Sequence, residues 1–95
     1  MLMNIMNKRV RLVFRGTVQG VGFRYTSESI ASFLNVKGWV RNVPGGEVEL
    51  VVEQKEDILK DFIRRLEDEF GGYINDRYVD WSQATGEFSD FRIRF

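Results

Sequence analysis

The segment Phe14-Arg15-Gly16-Thr17-Val18-Gln19-Gly20-Val21-Gly22-Phe23-Arg24 is the part of this sequence best suited to chemistry. Glycines between a strand and a helix can turn successive backbone N–H groups inward as an anion nest. The positive end of a helix dipole then lies beside that nest. Arg24, directly after it, adds a planar fork of donors that fits a phosphate. The same residues also fit a plain glycine turn followed by a surface arginine. Two other phosphate motifs do not fit: no GK[ST] follows the glycines, and Gly20 and Gly22 lack the third glycine of GxGxxG. A second stretch is Gly38-Trp39-Val40-Arg41-Asn42, followed by Val43-Pro44-Gly45-Gly46-Glu47-Val48. Asn42 there is either an ordinary turn former or a neutral donor and acceptor aimed at a water.

What the chain lacks narrows the chemistry. It has no cysteine and no histidine. Disulfides, thiolate nucleophiles, cysteine-ligated metal, the Ser-His-Asp triad and histidine bases are therefore excluded. Catalysis has to come from Arg, Lys, Asp, Glu, Asn, Ser, Thr, Tyr, backbone amides or the substrate itself. Fourteen basic residues balance fourteen acidic ones, which weakens any reading built on bulk attraction to nucleic acid or an anionic membrane. No stretch approaches the ~20 apolar residues of a membrane span. The start, Met1 to Lys8, is too short and mixed for a secretory signal and is expected to be a flexible tail. The expected location is cytoplasmic.

The elements that must position these residues follow from periodicity. At 95 residues, 43% hydrophobic and 29% charged, the chain makes one globular domain over residues 9–95. Arg9 to Arg15 alternates, with Val10, Leu12 and Phe14 on one face, and reads as a half-buried strand. From Phe23 the period becomes helical: Phe23, Ser27, Ile30, Ala31 and Leu34 share a face, and Asn35 suits the left-handed position that ends a helix. Val36 to Asn42 and Glu47 to Glu53 read as strands around the Pro44 turn. Lys55 to Phe70 carries an apolar stripe of Ile58, Leu59, Phe62, Ile63, Leu66 and Phe70, with Asp61–Arg65 and Arg64–Asp68 pairs on the other face. Tyr73 to Trp81 and Phe91 to Phe95 complete the set.

The order β-α-β-β-α-β plus a short C-terminal strand is that of an α+β, ferredoxin-like fold: an antiparallel sheet with two helices on one face. The expected core is Val10, Leu12, Phe14, Ile30, Leu34, Val48, Leu50, Val52, Ile58, Phe62 and Leu66. The first and third strands become neighbours, which sets Arg9, Arg11 and Arg15 near Glu47, Glu49 and Glu53.

GTVQGVGFR, followed after a helix by GWVRN, resembles the signature segments of the acylphosphatase family. The resemblance runs from Arg9 to Phe95, including the ending Gly86-Glu87-Phe88-Ser89-Asp90-Phe91-Arg92-Ile93-Arg94-Phe95. It implies hydrolysis of the carboxyl–phosphate anhydride of small acyl phosphates, without metal or cofactor. Arg24 matches the family's phosphate-binding arginine and Asn42 the asparagine that positions the attacking water. Gln19, Gly20, Val21, Gly22 and Phe23 match the loop whose amides hold the phosphate. Inorganic phosphate would be product and inhibitor. Departures are Phe14, where an aliphatic residue is usual, Gln54, where a glycine is common, and Gly71-Gly72-Tyr73, which replaces a Gly-Pro turn. All lie outside the matched site.

Three other readings compete. A non-catalytic anion-binding regulatory module would keep the nest but not need both Arg24 and Asn42. An RNA-binding module would show aromatic residues on a basic sheet face, where this chain carries Arg and Glu. Similar domains also begin larger carbamoyl-transfer maturation proteins; the chain's end at Phe95 favours a free-standing enzyme. The charged sheet face favours a monomer.

Overall fold

The computed structural model describes residues 6–95. In chain order the elements are β1 (Asn7–Gly16), α1 (Phe23–Leu34), β2 (Lys37–Asn42), β3 (Val48–Lys55), α2 (Glu56–Phe70), β4 (Ile74–Gln83) and β5 (Phe91–Arg94). The five strands form one sheet in the order β4-β1-β3-β2-β5. This is the ferredoxin-like α+β fold.

Two details differ from the sequence reading. The first four strands pair antiparallel, but β5 runs parallel to β2, from Gly38↔Phe91 to Arg41↔Arg94, so the sheet is mixed. β1 also begins earlier than expected. Asn7 and Lys8, read as tail, pair with Lys55 and Gln54. The rest of that expected tail, residues 1–5, lies outside the described residues.

Alternation builds the core. One cross-sheet row reads Val79–Leu12–Leu50–Val40–Ile93 in strand order. Val10, Leu12, Phe14, Val48, Leu50, Val52, Phe62 and Leu66 are fully buried, and Ile30, Leu34 and Ile58 pack at the edge of the same cluster. Both helices therefore cover one face. Phe23 stacks on Phe70 at 4.4 Å between centroids and lies 5.4 Å from Phe14. The aromatic Phe14 thus joins a three-ring cluster that fastens the start of α1 to β1 and to the end of α2. Asn35 ends α1 in the left-handed region at φ 55°, and the Val36 N–H closes onto the Ala31 carbonyl at 2.8 Å. Gln54 donates to the Asn35 carbonyl at 2.7 Å, which ties this helix end to β3.

The opposite face of the sheet carries the expected ladder. Arg9 pairs with Glu53, Arg11 with Glu49 and Arg15 with Glu47. Its acidic members are less exposed than a solvated face implies: Glu49 and Glu53 are only 6% and 4% exposed. Arg41 also pairs with Glu49, and Glu53 accepts the N–H groups of Thr85 and Gly86. Burial pushes both carboxyls up, but the donors around them outweigh it. For Glu49 these are Arg11 and Arg41. For Glu53 they are the Thr85 N–H, Arg9, the Gly86 N–H and the Thr85 hydroxyl. Both groups lie below the ordinary carboxylate range.

Candidate active site

The loop between β1 and α1 is launched by a close backbone approach. At the end of β1 the register against β4 shifts between Arg15 and Gly16, and the Thr17 N–H donates to the Tyr73 carbonyl at 2.9 Å. A Cβ on Gly16 would lie 2.2 Å from that same carbonyl oxygen, so a side chain there forces the strand and loop apart. Val18 then turns fully inward and anchors the loop to the core.

Gly20 and Gly22 follow with φ of 80° and 81°, in the left-handed region that favours glycine. Gly22 is the N-cap of α1 and has no side-chain cap. The first intrahelical bond runs from the Thr26 N–H to the Gly22 carbonyl at 3.0 Å, which leaves the N–H groups of the first turn without helical partners. Among the described residues, no backbone N–H from Val18 to Tyr25 donates to the protein outside regular elements. The result is a run of free donors at the positive end of α1.

Beside this loop lies a hollow of about 230 Å³ lined by Val18, Gly20, Gly22, Phe23, Arg24, Tyr25 and Asn42. Arg24 comes from the first turn of α1 and Asn42 from the last position of β2. The structure therefore brings together Arg24, Asn42, Gly20, Gly22 and Phe23. Val21 lies off the hollow, packed against the core. The Gln19 side chain turns away from it, donating to the Val43 and Glu47 carbonyls. The sequence reading missed Val18 and Tyr25. Val18 carried a usable signal, an apolar residue inside a glycine-rich loop. Tyr25 is largely exposed and carried none.

Arg24 is one of two arginines among the described residues with no carboxylate partner; the other, Arg94, lies over the ring of Trp39. Among the described residues Arg9, Arg11, Arg15, Arg41, Arg64, Arg65, Arg77 and Arg92 each face a carboxylate. Arg24 has no such partner and lies over the ring of Phe95, 4.9 Å from its centroid. An uncompensated guanidinium beside free amides can receive an anion's charge, and a neutral amide at Asn42 can hold a water without competing for that charge.

Comparison with known proteins identifies the family. A family model described as acylphosphatase matches residues 10–93. The acylphosphatase of Methanospirillum hungatei is 44% identical over 89 residues, covering 92% of this chain and 97% of that protein. The crystal structure of acylphosphatase from Bacillus subtilis is similar with a TM-score of 0.85 and 29% identity, over 93% of this chain and 99% of that one. Full-length HypF, in a phosphate- and nucleotide-bound form, contains the same fold with a TM-score of 0.82 and 30% identity, over 96% of this chain but 12% of its own. The match over nearly all of the chain shows that the chain belongs to the acylphosphatase family.

Proposed function

We propose that this acyl phosphate hydrolase binds the phosphoryl group of its substrate in the hollow between the Gly20–Gly22 loop and Asn42, and cleaves it with one oriented water. The observation that carries this reading is that Arg24 and Asn42, from different elements, line the same hollow as the glycine loop. Arg24 and the amides at the start of α1 take up the charge on the phosphoryl oxygens. Asn42 holds a water through its side-chain amide for attack on phosphorus. The water oxygen bonds to phosphorus as the bond from phosphorus to the anhydride oxygen breaks. That electron pair leaves with the carboxylate. The water's proton passes to a phosphoryl oxygen of the substrate, so inorganic phosphate is the second product.

Such a site supplies catalysis by positioning and electrostatics. A carboxylate is a good leaving group, so a strong protein base is not required. No metal is assigned a role, since the phosphate charge is met by a guanidinium and amides. The enzyme is proposed to be a cytoplasmic monomer that takes small acyl phosphates. The self-paired charges of the open sheet face support the monomer.

The test is steady-state hydrolysis of a small acyl phosphate, with phosphate inhibition measured alongside, on folded Arg24→Ala and Asn42→Ala. Arg24→Ala should raise KM, lower kcat and weaken phosphate inhibition. Asn42→Ala should lower kcat by ~10²-fold, the scale of losing one well-placed donor, while phosphate inhibition stays near that of the parent. Near-normal kcat in Asn42→Ala would return that residue to a turn-forming role.

A further inference from the structure

The Gln19 side chain links the phosphate loop to the segment that carries Asn42. Its Nε2 donates to the Val43 carbonyl at 2.9 Å and to the Glu47 carbonyl at 2.8 Å. Two carbonyl acceptors fix the orientation of the amide, because only the nitrogen end can serve both. The bonds bracket Asn42. Val43 follows it in the chain, and Glu47 precedes Val48, its partner on β3.

This link is not needed to form the turn. The Val43 N–H already donates to the Glu47 carbonyl at 2.8 Å, and the Gly46 N–H to the Val43 carbonyl at 3.2 Å. Gln19 therefore uses the remaining acceptor capacity of two carbonyls that are already paired. It joins two formed elements instead of building one. That join matters because the end of β2 is held on one side only: β3 pairs as far as Asn42, whereas pairing with β5 stops at Arg41.

We propose that Gln19 is a positioning residue that fixes Asn42, and with it the attacking water, against the phosphate cradle. This rests on the reading that Asn42 orients the water. A water misplaced by about 1 Å can cost on the order of 10²-fold in rate, so a cross-link at this point acts on turnover more than on binding.

The test uses Gln19→Met, which keeps the length and the apolar stem but has no donor, together with Asn42→Ala and the double variant. Gln19→Met should lower kcat by about tenfold and leave the phosphate inhibition constant within about twofold. Added to Asn42→Ala, it should cost nothing further, since both act through one water. Gln19→Glu supplies a second readout. A carboxylate facing two carbonyls is repelled, but a protonated one donates a single bond, so this variant should regain part of its kcat as pH falls, relative to the parent enzyme at each pH.

Wild-type kcat in Gln19→Met, a loss that adds fully to that of Asn42→Ala, no relative recovery of Gln19→Glu at low pH, or a loss of phosphate inhibition matching Arg24→Ala would each overturn the inference. If Asn42→Ala itself keeps its kcat, the water-positioning reading falls and this inference falls with it. If Asn42→Ala loses kcat and Gln19→Met does not, only this inference falls.

Discussion

Arg24, near the start of α1, and Phe95, after β5, are far apart in sequence, and the fold stacks one on the other. Phe95 follows Arg94, which pairs with Arg41, so β5 delivers the ring to the end of the sheet where Asn42 sits. The ring holds a guanidinium that has no carboxylate partner among the described residues. An exposed cation–π contact contributes ~0.5–1 kcal/mol, so Phe95→Ala should weaken phosphate inhibition by roughly two- to fivefold. Phe95→Trp should preserve it and Phe95→Leu should not. Phosphate titration of the three variants checks this.

The pH dependence of stability follows from Glu49 and Glu53. Burial raises each carboxyl, but the surrounding donors bring the net value below the ordinary one. A group with a depressed folded-state pKa stabilises the fold above its unfolded pKa and loses that contribution as pH falls through the folded value. Urea unfolding should therefore give a steady free energy above roughly pH 5 and a decline from about pH 4.3 downward. Glu53→Gln, which weakens the bonds from Arg9, Thr85 and Gly86, should cost roughly 1–3 kcal/mol at neutral pH and flatten the acid decline. An acid decline as steep as the parent's would remove Glu53 from this role.

Two glycines at the site should fail for different reasons. A Cβ on Gly22 meets open space, so Gly22→Ala pays only for its left-handed backbone, about 1–2 kcal/mol. It should fold, with the loss of stability visible in urea and with weakened phosphate inhibition. A Cβ on Gly16 would strike the Tyr73 carbonyl. Gly16→Ala should be the less stable of the two and should disturb the pairing of β1 with the start of β4, which amide hydrogen exchange at Thr17 would report.

Turnover should not depend on a divalent cation. The proposed charge stabilisation comes from Arg24 and the amides at the start of α1, with no role left for a Lewis acid. Exhaustive chelation should leave the rate unchanged. A rate abolished by chelator and restored by magnesium would replace this mechanism.

The strands and their faces were legible because a period of two fixes which side each residue takes. The pairs Arg9–Glu53, Arg11–Glu49 and Arg15–Glu47 follow from that alone once β1 and β3 are neighbours. Their burial was not legible, because the cover over Glu53 comes from Thr85 and Gly86, residues far away in sequence and without periodicity. The direction of β5 was hidden for a related reason: four residues carry an alternation but no sign of which way they run. At the site, glycine spacing and Arg24 pointed to an anion cradle, while Asn42 fitted a turn former as well as a water-holding amide until the resemblance favoured the second. The inward turn of Gln19 had no sequence signal, since a polar side chain in a loop is equally at home facing solvent or a backbone carbonyl.

The sheet order has a consequence for how the protein is made. β1 emerges first from a ribosome, yet its two neighbours are β3, from Val48, and β4, from Ile74. During synthesis Val10, Leu12 and Phe14 must wait, uncovered, for partners translated much later, and such distant pairings are slow to close. The residues of the hollow are encoded early, between Val18 and Asn42, but Phe23 packs on Phe14 of β1 and Asn42 pairs with Val48 of β3. Enzymatic activity in a nascent chain would therefore appear late and abruptly, as a marker that translation has passed β4 and the whole sheet has locked.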